Sequence, residues 1–195
     1  MRYPFALVLL FTFTVNLFTQ THNDNIPWGI DKDLSNIPIV KTPRVSHNRI
    51  YKQERKNPSY FKPYQFAKTF QTDFSINNSG RWVLNADGKN IWLIRVKSKN
   101  AYSITLIFKE FYIPKYAKVF IYNKDNNYIK GPFTSANNLP SKILPIEPVM
   151  GDEIVIEYQE PVNTNSKPLL AIGQIGHDYR NVLKDNYLKD AKYNT

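Results

Sequence analysis

Along Ala101–Phe111, Tyr102, Ile104, Leu106 and Phe108 alternate with Ser103, Thr105 and Lys109. An apolar period of two sustained over that length is met by a half-buried β-strand and not by a helix. Asp152–Tyr158 repeats the pattern, with Ile154, Ile156 and Tyr158 inward and Glu153 and Glu157 outward. This predicts a sheet with one wet face. Further strands are predicted at short intervals from Gly80 onward. Gly80–Leu84 and Ile91–Val96 flank Asn85-Ala86-Asp87-Gly88, whose glycine can take the positive φ of a tight hairpin. Ala117–Tyr122 and Leu169–Ile175 read as strands, and Tyr128-Ile129 as a brief one before a turn at Gly131-Pro132. Residues 134–150 hold Pro140, Pro145 and Pro148 and predict a loop, with at most a short edge strand at Ile143-Leu144. Six or seven strands of this kind predict an all-β fold, an antiparallel β-sandwich of jelly-roll type spanning residues 71–180.

The flanks read differently. Residues 1–21 begin with Arg2 as their one charge, continue through the apolar run Phe5–Phe18 and end in polar Thr19-Gln20-Thr21. That order predicts a secretory signal peptide, and hence export to periplasm, cell surface or medium. The run falls short of the roughly 20 apolar residues of a membrane anchor and is broken by Thr12, Thr14 and Asn16. No later segment is apolar enough to span a membrane. Residues 22–70, punctuated by Pro27, Pro38, Pro43, Pro58 and Pro63, predict an irregular arm. From residue 41 onward the arm is basic: Lys41, Arg44, Arg49, Lys52, Arg55, Lys56, Lys62 and Lys68 face one acid, Glu54. A linker packed along the domain is the favoured reading, and a basic tether for an anionic surface is the other. Tyr51, Tyr60, Phe61, Tyr64 and Phe66 interleave with these charges as in single-strand nucleic-acid binders, but nucleic acid is not expected to meet an exported chain. Residues 181–195 form a tail in which Leu183, Tyr187 and Leu188 fit one face of a short helix.

A net charge of +10 favours anionic partners without choosing among nucleic acid, lipid, glycan and acidic protein. The absence of cysteine excludes disulfides, thiolate metal sites and a thiol nucleophile. His22, His47 and His177 are the only histidines, and no Gly-x-Ser-x-Gly occurs, so no catalytic residue is assigned. No zinc-ligand spacing or glycine-rich phosphate loop is present. Asp152, Glu153, Glu157 and Glu160 cluster in sequence but lack the spacing of a calcium loop, so no cofactor is expected. Trp92 shares a strand face with Ile94 and Val96 and reads as core. Trp82 and Tyr122 are candidates for a sugar-stacking or partner-binding surface, and Arg180 is a third candidate contact. Arg95 and Arg180 are also placed to pair structurally with carboxylates such as Glu157.

A set of residues in fixed order carries a resemblance. These are Gly80-x-Trp82, Asp87-Gly88, Trp92-x-x-Arg95, Ser98, Ala101-Tyr102-Ser103, Phe108-x-x-Phe111, Ile113-Pro114-x-x-Ala117, Phe120-Ile121-Tyr122-Asn123, Gly131-Pro132-Phe133-Thr134, Asn137, Gly151-Asp152, Ile156-Glu157-Tyr158, Glu160-Pro161 and His177-x-Tyr179-Arg180. Over residues 63–180 the chain resembles the N-terminal pro- or accessory region of secreted bacterial serine endopeptidases of the lysyl endopeptidase type. In that family the region precedes a trypsin-like catalytic domain. The resemblance implies a non-catalytic module that binds a protease domain, assisting its folding or blocking its cleft. It carries over no catalytic residue, because the family's triad lies downstream of the position of Arg180. Tyr116 departs from the family, which has glycine before the alanine, so a differently built turn is expected there. Two other readings stand beside this one: a glycan- or surface-binding module using Trp82 and exposed tyrosines, and an inert remnant of a truncated protease.

Overall fold

The computed structural model describes residues 25–57, 63–125, 127–162 and 167–184. The predicted signal peptide over residues 1–21, and the predicted C-terminal helix beyond Lys184, lie outside them. Among the described residues the chain is all-β in its main body, with one α-helix. The strands are β1 (Ile39–Lys41), β2 (Ala67–Ser75), β3 (Arg81–Leu84), β4 (Lys89–Lys97), β5 (Ser103–Tyr112), β6 (Lys118–Asn123), β7 (Ile129–Phe133), β8 (Leu144–Met150), β9 (Glu153–Pro161) and β10 (Leu169–Asp178). Helix α1 spans His47–Lys56.

The strands form two sheets. One runs β1-β4-β9-β6-β7, with β3 also pairing β4, and the other runs β2-β10-β5-β8. Every pairing is antiparallel except that of β1 with β4. The sheets face one another across a single apolar core. Trp92, Ile94, Val96, Ile154, Ile156 and Tyr158 come from the first, and Ile104, Leu106, Phe108, Ile146, Ile172 and Ile175 from the second. These are the inward positions that strand alternation selects. The expected hairpin is present: β3 and β4 are joined through Asn85, whose N–H donates to Lys89 O at 3.0 Å, and Gly88 sits at φ +72°. Trp92 is core, as its strand face implies, and its indole N–H donates to Ser79 O.

Four expectations are corrected. First, there is no turn at Gly131-Pro132, because both belong to β7, an edge strand, where a residue without an N–H loses no ladder bond. Second, β8 runs through Pro145 and Pro148 for the same reason and is far longer than an Ile143-Leu144 stub. Third, the described residues of the stretch 22–70 are not all irregular, since they hold a 3₁₀ turn at Trp28–Asp31, β1, α1 and the start of β2. The alternation of Phe70, Thr72 and Phe74 was the signal for β2, diluted by the polar residues of its exposed face. Fourth, the outer face of the first sheet is not wet. Ile91, Leu93, Phe120, Tyr122 and Val155 pack there against Ile37, Leu34 and Trp28 of the N-terminal arm, forming a second apolar cluster.

Candidate functional site

The arm touches the sheets at two places, and both converge on polar residues of the body. The first lies on the outer face of β9. Glu157, fully buried, accepts from Trp28 N at 2.6 Å, Gly29 N at 2.9 Å, the Tyr122 hydroxyl at 2.9 Å and Gln159 Nε2 at 2.6 Å. The two backbone donors are the leading N–H groups of the 3₁₀ turn, which have no partner within it. Burial, with the adjacent Glu157 carboxylate, pushes the Tyr122 phenol far above its ordinary range, so it remains a donor. Gly29 is required by the close approach: a Cβ there would collide with the Tyr122 hydroxyl and lie 3.0 Å from Glu157 Oε2. Four residues back along β9, Glu153 is 3% exposed and is paired by Arg95 and by Lys97 Nζ at 2.9 Å. Burial would raise the Glu153 carboxyl, but hydrogen bonds from Lys97 and Arg95 outweigh it and hold the group below the usual carboxylate range.

The second contact is made by α1. Ser46 caps it by accepting from Arg49 N, and Arg55 and Lys56 sit in its last turn, where cations suit the helix dipole. A ten-residue helix is marginal alone, and α1 is held by the end of β10. His47, Tyr51 and Glu54, spaced by four and three, lie along one face. Each meets one part of the segment His177–Arg180. His47 Nε2 lies 2.9 Å from His177 Nε2, the Tyr51 hydroxyl donates to Tyr179 O, and Glu54 accepts from Arg180 Nη2 at 2.6 Å and from the Tyr179 hydroxyl at 3.0 Å. The Arg180 guanidinium also lies over the rings of Tyr51, Tyr64 and Tyr179 at 5.6, 5.2 and 5.3 Å.

Behind this contact a polar chain runs inward. His177 Nδ1 is 2.7 Å from Ser98 Oγ, and Ser98 Oγ is 2.7 Å from Thr42 Oγ1, just after β1. His177 and Ser98 are both fully buried. Burial, and then the neighbouring His47, push the His177 imidazole down to about 4. The ring is therefore neutral near pH 7, with one nitrogen donating and the other accepting. Ser98 has a base within bonding distance, but both groups are enclosed beneath α1. Asp178, also buried, accepts from Ser103 Oγ at 2.7 Å and from the N–H groups of Arg180, Asn181 and Val182, closing the turn after β10.

The three candidate contact residues do not converge. Trp82, on edge strand β3, is 44% exposed and meets Tyr158 edge-to-face at 6.0 Å. Tyr122 is fully buried and belongs to the Glu157 cluster, so it offers no platform to a sugar. Arg180 is engaged with Glu54. Arg95 pairs with Glu153 rather than Glu157. The four carboxylates weighed for calcium are separated in their bonding: Asp152 accepts from Asn100 N, Glu160 from the Tyr158 hydroxyl, and Glu153 and Glu157 as above. Among the described residues no group of three or more His, Asp or Glu side chains could hold a metal ion. No described helix is long and apolar enough to cross a membrane.

The roles of Ser98, Glu54 and Asp178 were not legible beforehand. The only available signal for α1 was the spacing of His47, Tyr51 and Glu54, which is helical but polar, so a search for apolar periodicity passes over it. No family model matches the chain, and no solved structure matches it at a significant level.

Proposed function

We propose that this chain is an exported, non-catalytic β-sandwich module of jelly-roll type that works by binding a protein, the counterpart of the pro-region of a lysyl endopeptidase-type serine protease. The jelly-roll reading is supported by strand order: β2-β10-β5-β8 and β4-β9-β6-β7 interleave along the chain as two nested Greek keys would. The observation that carries the binding reading is a contrast between enclosed and presented chemistry. His177, Ser98, Glu157 and Asp178 are fully buried and bonded to internal partners. Edge strand β3 instead presents Trp82 and Leu84, 44% and 65% exposed, and exposed Val162 donates its N–H to Gly88 O in the turn that follows β3. An edge with exposed apolar side chains suits strand addition by a partner.

The family resemblance gains support from what its residues do. Tyr116, standing in place of the family's glycine, has φ +71°, the left-handed conformation that glycine adopts freely. Tyr116 thus holds, under strain, a conformation suited to the glycine of the family. Thr134 and Asn137 cap one another around Ser135–Asn137, and Asn123 Oδ1 accepts from Asn127 N and Tyr128 N to shape the turn before β7. The test is to refold a lysyl endopeptidase-type protease domain with and without micromolar module. A higher yield, or inhibition of the folded enzyme, supports the reading, and no change in either overturns it. Exposed Trp82 favours one alternative, a glycan-binding module. Binding on a glycan array that disappears with Trp82→Ala would select it. A protein inert in both assays would leave neither binding reading standing.

A further inference from the structure

Between Lys41 and Asn57 the chain carries Lys41, Arg44, Arg49, Lys52, Arg55 and Lys56 against one acid, Glu54. The fold separates these charges. Glu54 faces the body, where Arg180 and Tyr179 take its oxygens. On the opposite side of α1, Arg49, Lys52 and Lys56 recur at three and four residues and so form one row, all exposed, with Arg55 and Arg44 exposed nearby. None of these five cations makes an ion pair with another described residue. Docking α1 thus turns a segment of mixed composition into a surface of one sign, whose repulsion an anionic ligand would relieve.

The companions of this row indicate the ligand. Ser46, Asn48 and Gln53 join Arg49, Lys52 and Lys56 around a shallow groove of about 400 Å³. No apolar side chain lines it, so it lacks the inserting face with which an interfacial helix holds a bilayer. It also lacks an aromatic ring on which a base would stack. Hydroxyl and amide groups set between cations suit a ligand that carries hydroxyls between anionic groups. The row advances about 4.5 and then about 6 Å along the axis, one helical turn per charge. That step is comparable with the length of one sugar residue bearing one carboxylate. We infer that the outward face of α1 is a binding site for an acidic polysaccharide of the polyuronate class. This inference is independent of the protease-binding reading, which rests on a different surface.

The experiment measures binding of the full chain to polygalacturonate, with neutral dextran, phosphatidylglycerol vesicles and an oligothymidylate as comparison ligands. Polygalacturonate is expected to bind and dextran not to, with affinity falling steeply from about 50 to about 300 mM salt. The triple variant Arg49→Gln, Lys52→Gln, Lys56→Gln should lose about tenfold or more in affinity. Glutamine is as good a helix former and the positions are exposed, so circular dichroism should be unchanged. A charge-matched triple elsewhere, Arg81→Gln, Lys99→Gln, Lys115→Gln, should lose less than about twofold. Equal losses in the two triples would reduce the effect to net charge and overturn the site. Tighter binding of vesicles or oligothymidylate than of polygalacturonate, or no polygalacturonate binding at low salt, would also overturn it.

Discussion

The N-terminal arm is fastened to the sheets twice, and the two fastenings differ in kind. At Trp28–Ile37 the arm lies over an apolar cluster, and its 3₁₀ turn is anchored by a carboxylate that water does not reach. At α1 the contact is a row of polar side chains, half-exposed on the helix side, ending in an ion pair whose members are 28% and 36% exposed. A buried acceptor with several donors is costly to remove because each donor is left without water or partner. A row at the surface can be resolvated one bond at a time. The first fastening is therefore expected to share the stability of the sheets, and the second to open at a lower cost.

The most severe way to break this contrast is Glu157→Ala, which strands four donors. It should cost about 3–5 kcal/mol, read as a large fall in the urea midpoint. A loss under about 1 kcal/mol would show that the outer face tolerates water and that the two fastenings are alike. Next comes acid. The folded His177 imidazole, lowered to about 4 by burial and by His47, resists a proton that the unfolded chain accepts near its ordinary value of 6.5. Stability is then independent of this group above about pH 6.5 and is lost as pH falls toward 4, by on the order of 3 kcal/mol. Asp178 and Asp152 work against the shift. His177→Gln should flatten this part of the pH–stability curve. An unchanged curve would mean that the folded imidazole takes up its proton as readily as the unfolded one.

A smaller change sharpens the comparison. Tyr116→Gly relieves a left-handed residue that is 73% exposed, and should stabilise the body by about 1 kcal/mol. Native-state hydrogen exchange in that variant should slow for β9 and β10 amides while α1 amides are unaffected. If α1 slows equally, it opens only with global unfolding. Smallest of all, Glu54→Gln removes a surface ion pair and should lower global stability by less than about 1 kcal/mol while speeding exchange in α1. A global loss as large as that of Glu157→Ala would erase the distinction.

The two fastenings also explain which parts of the molecule were readable. The inter-sheet core follows from alternation alone: Ile104, Leu106 and Phe108 point inward because successive side chains of a strand alternate. The covered outer face left a trace as well. Ile91-Trp92-Leu93-Ile94, Val119-Phe120-Ile121-Tyr122 and Ile154-Val155-Ile156 are unbroken apolar runs, and a strand apolar on both sides is buried on both. Glu157 obscured that inference, since a charged residue at an outward position is ordinarily solvated. Its burial depends on Trp28 and Gly29, more than a hundred residues away in sequence. Trp82 is 44% exposed on its edge strand. Tyr122 was placed with it because nothing local distinguishes a platform ring from one that donates to a hidden carboxylate.

Local order and composition thus determined strands β3 to β6, β9 and β10, the central hairpin, the all-β class and the basic character of the arm, because these depend on residues a few positions apart. Only the tertiary structure decided where the arm lies, that His47 meets His177, and that Glu54 turns inward while Arg49, Lys52 and Lys56 turn outward. The physical reason is range. Alternation and turn chemistry act along the backbone. A carboxylate's burial, an imidazole's proton affinity and the sign of a surface are set by partners that the chain brings together only when it closes.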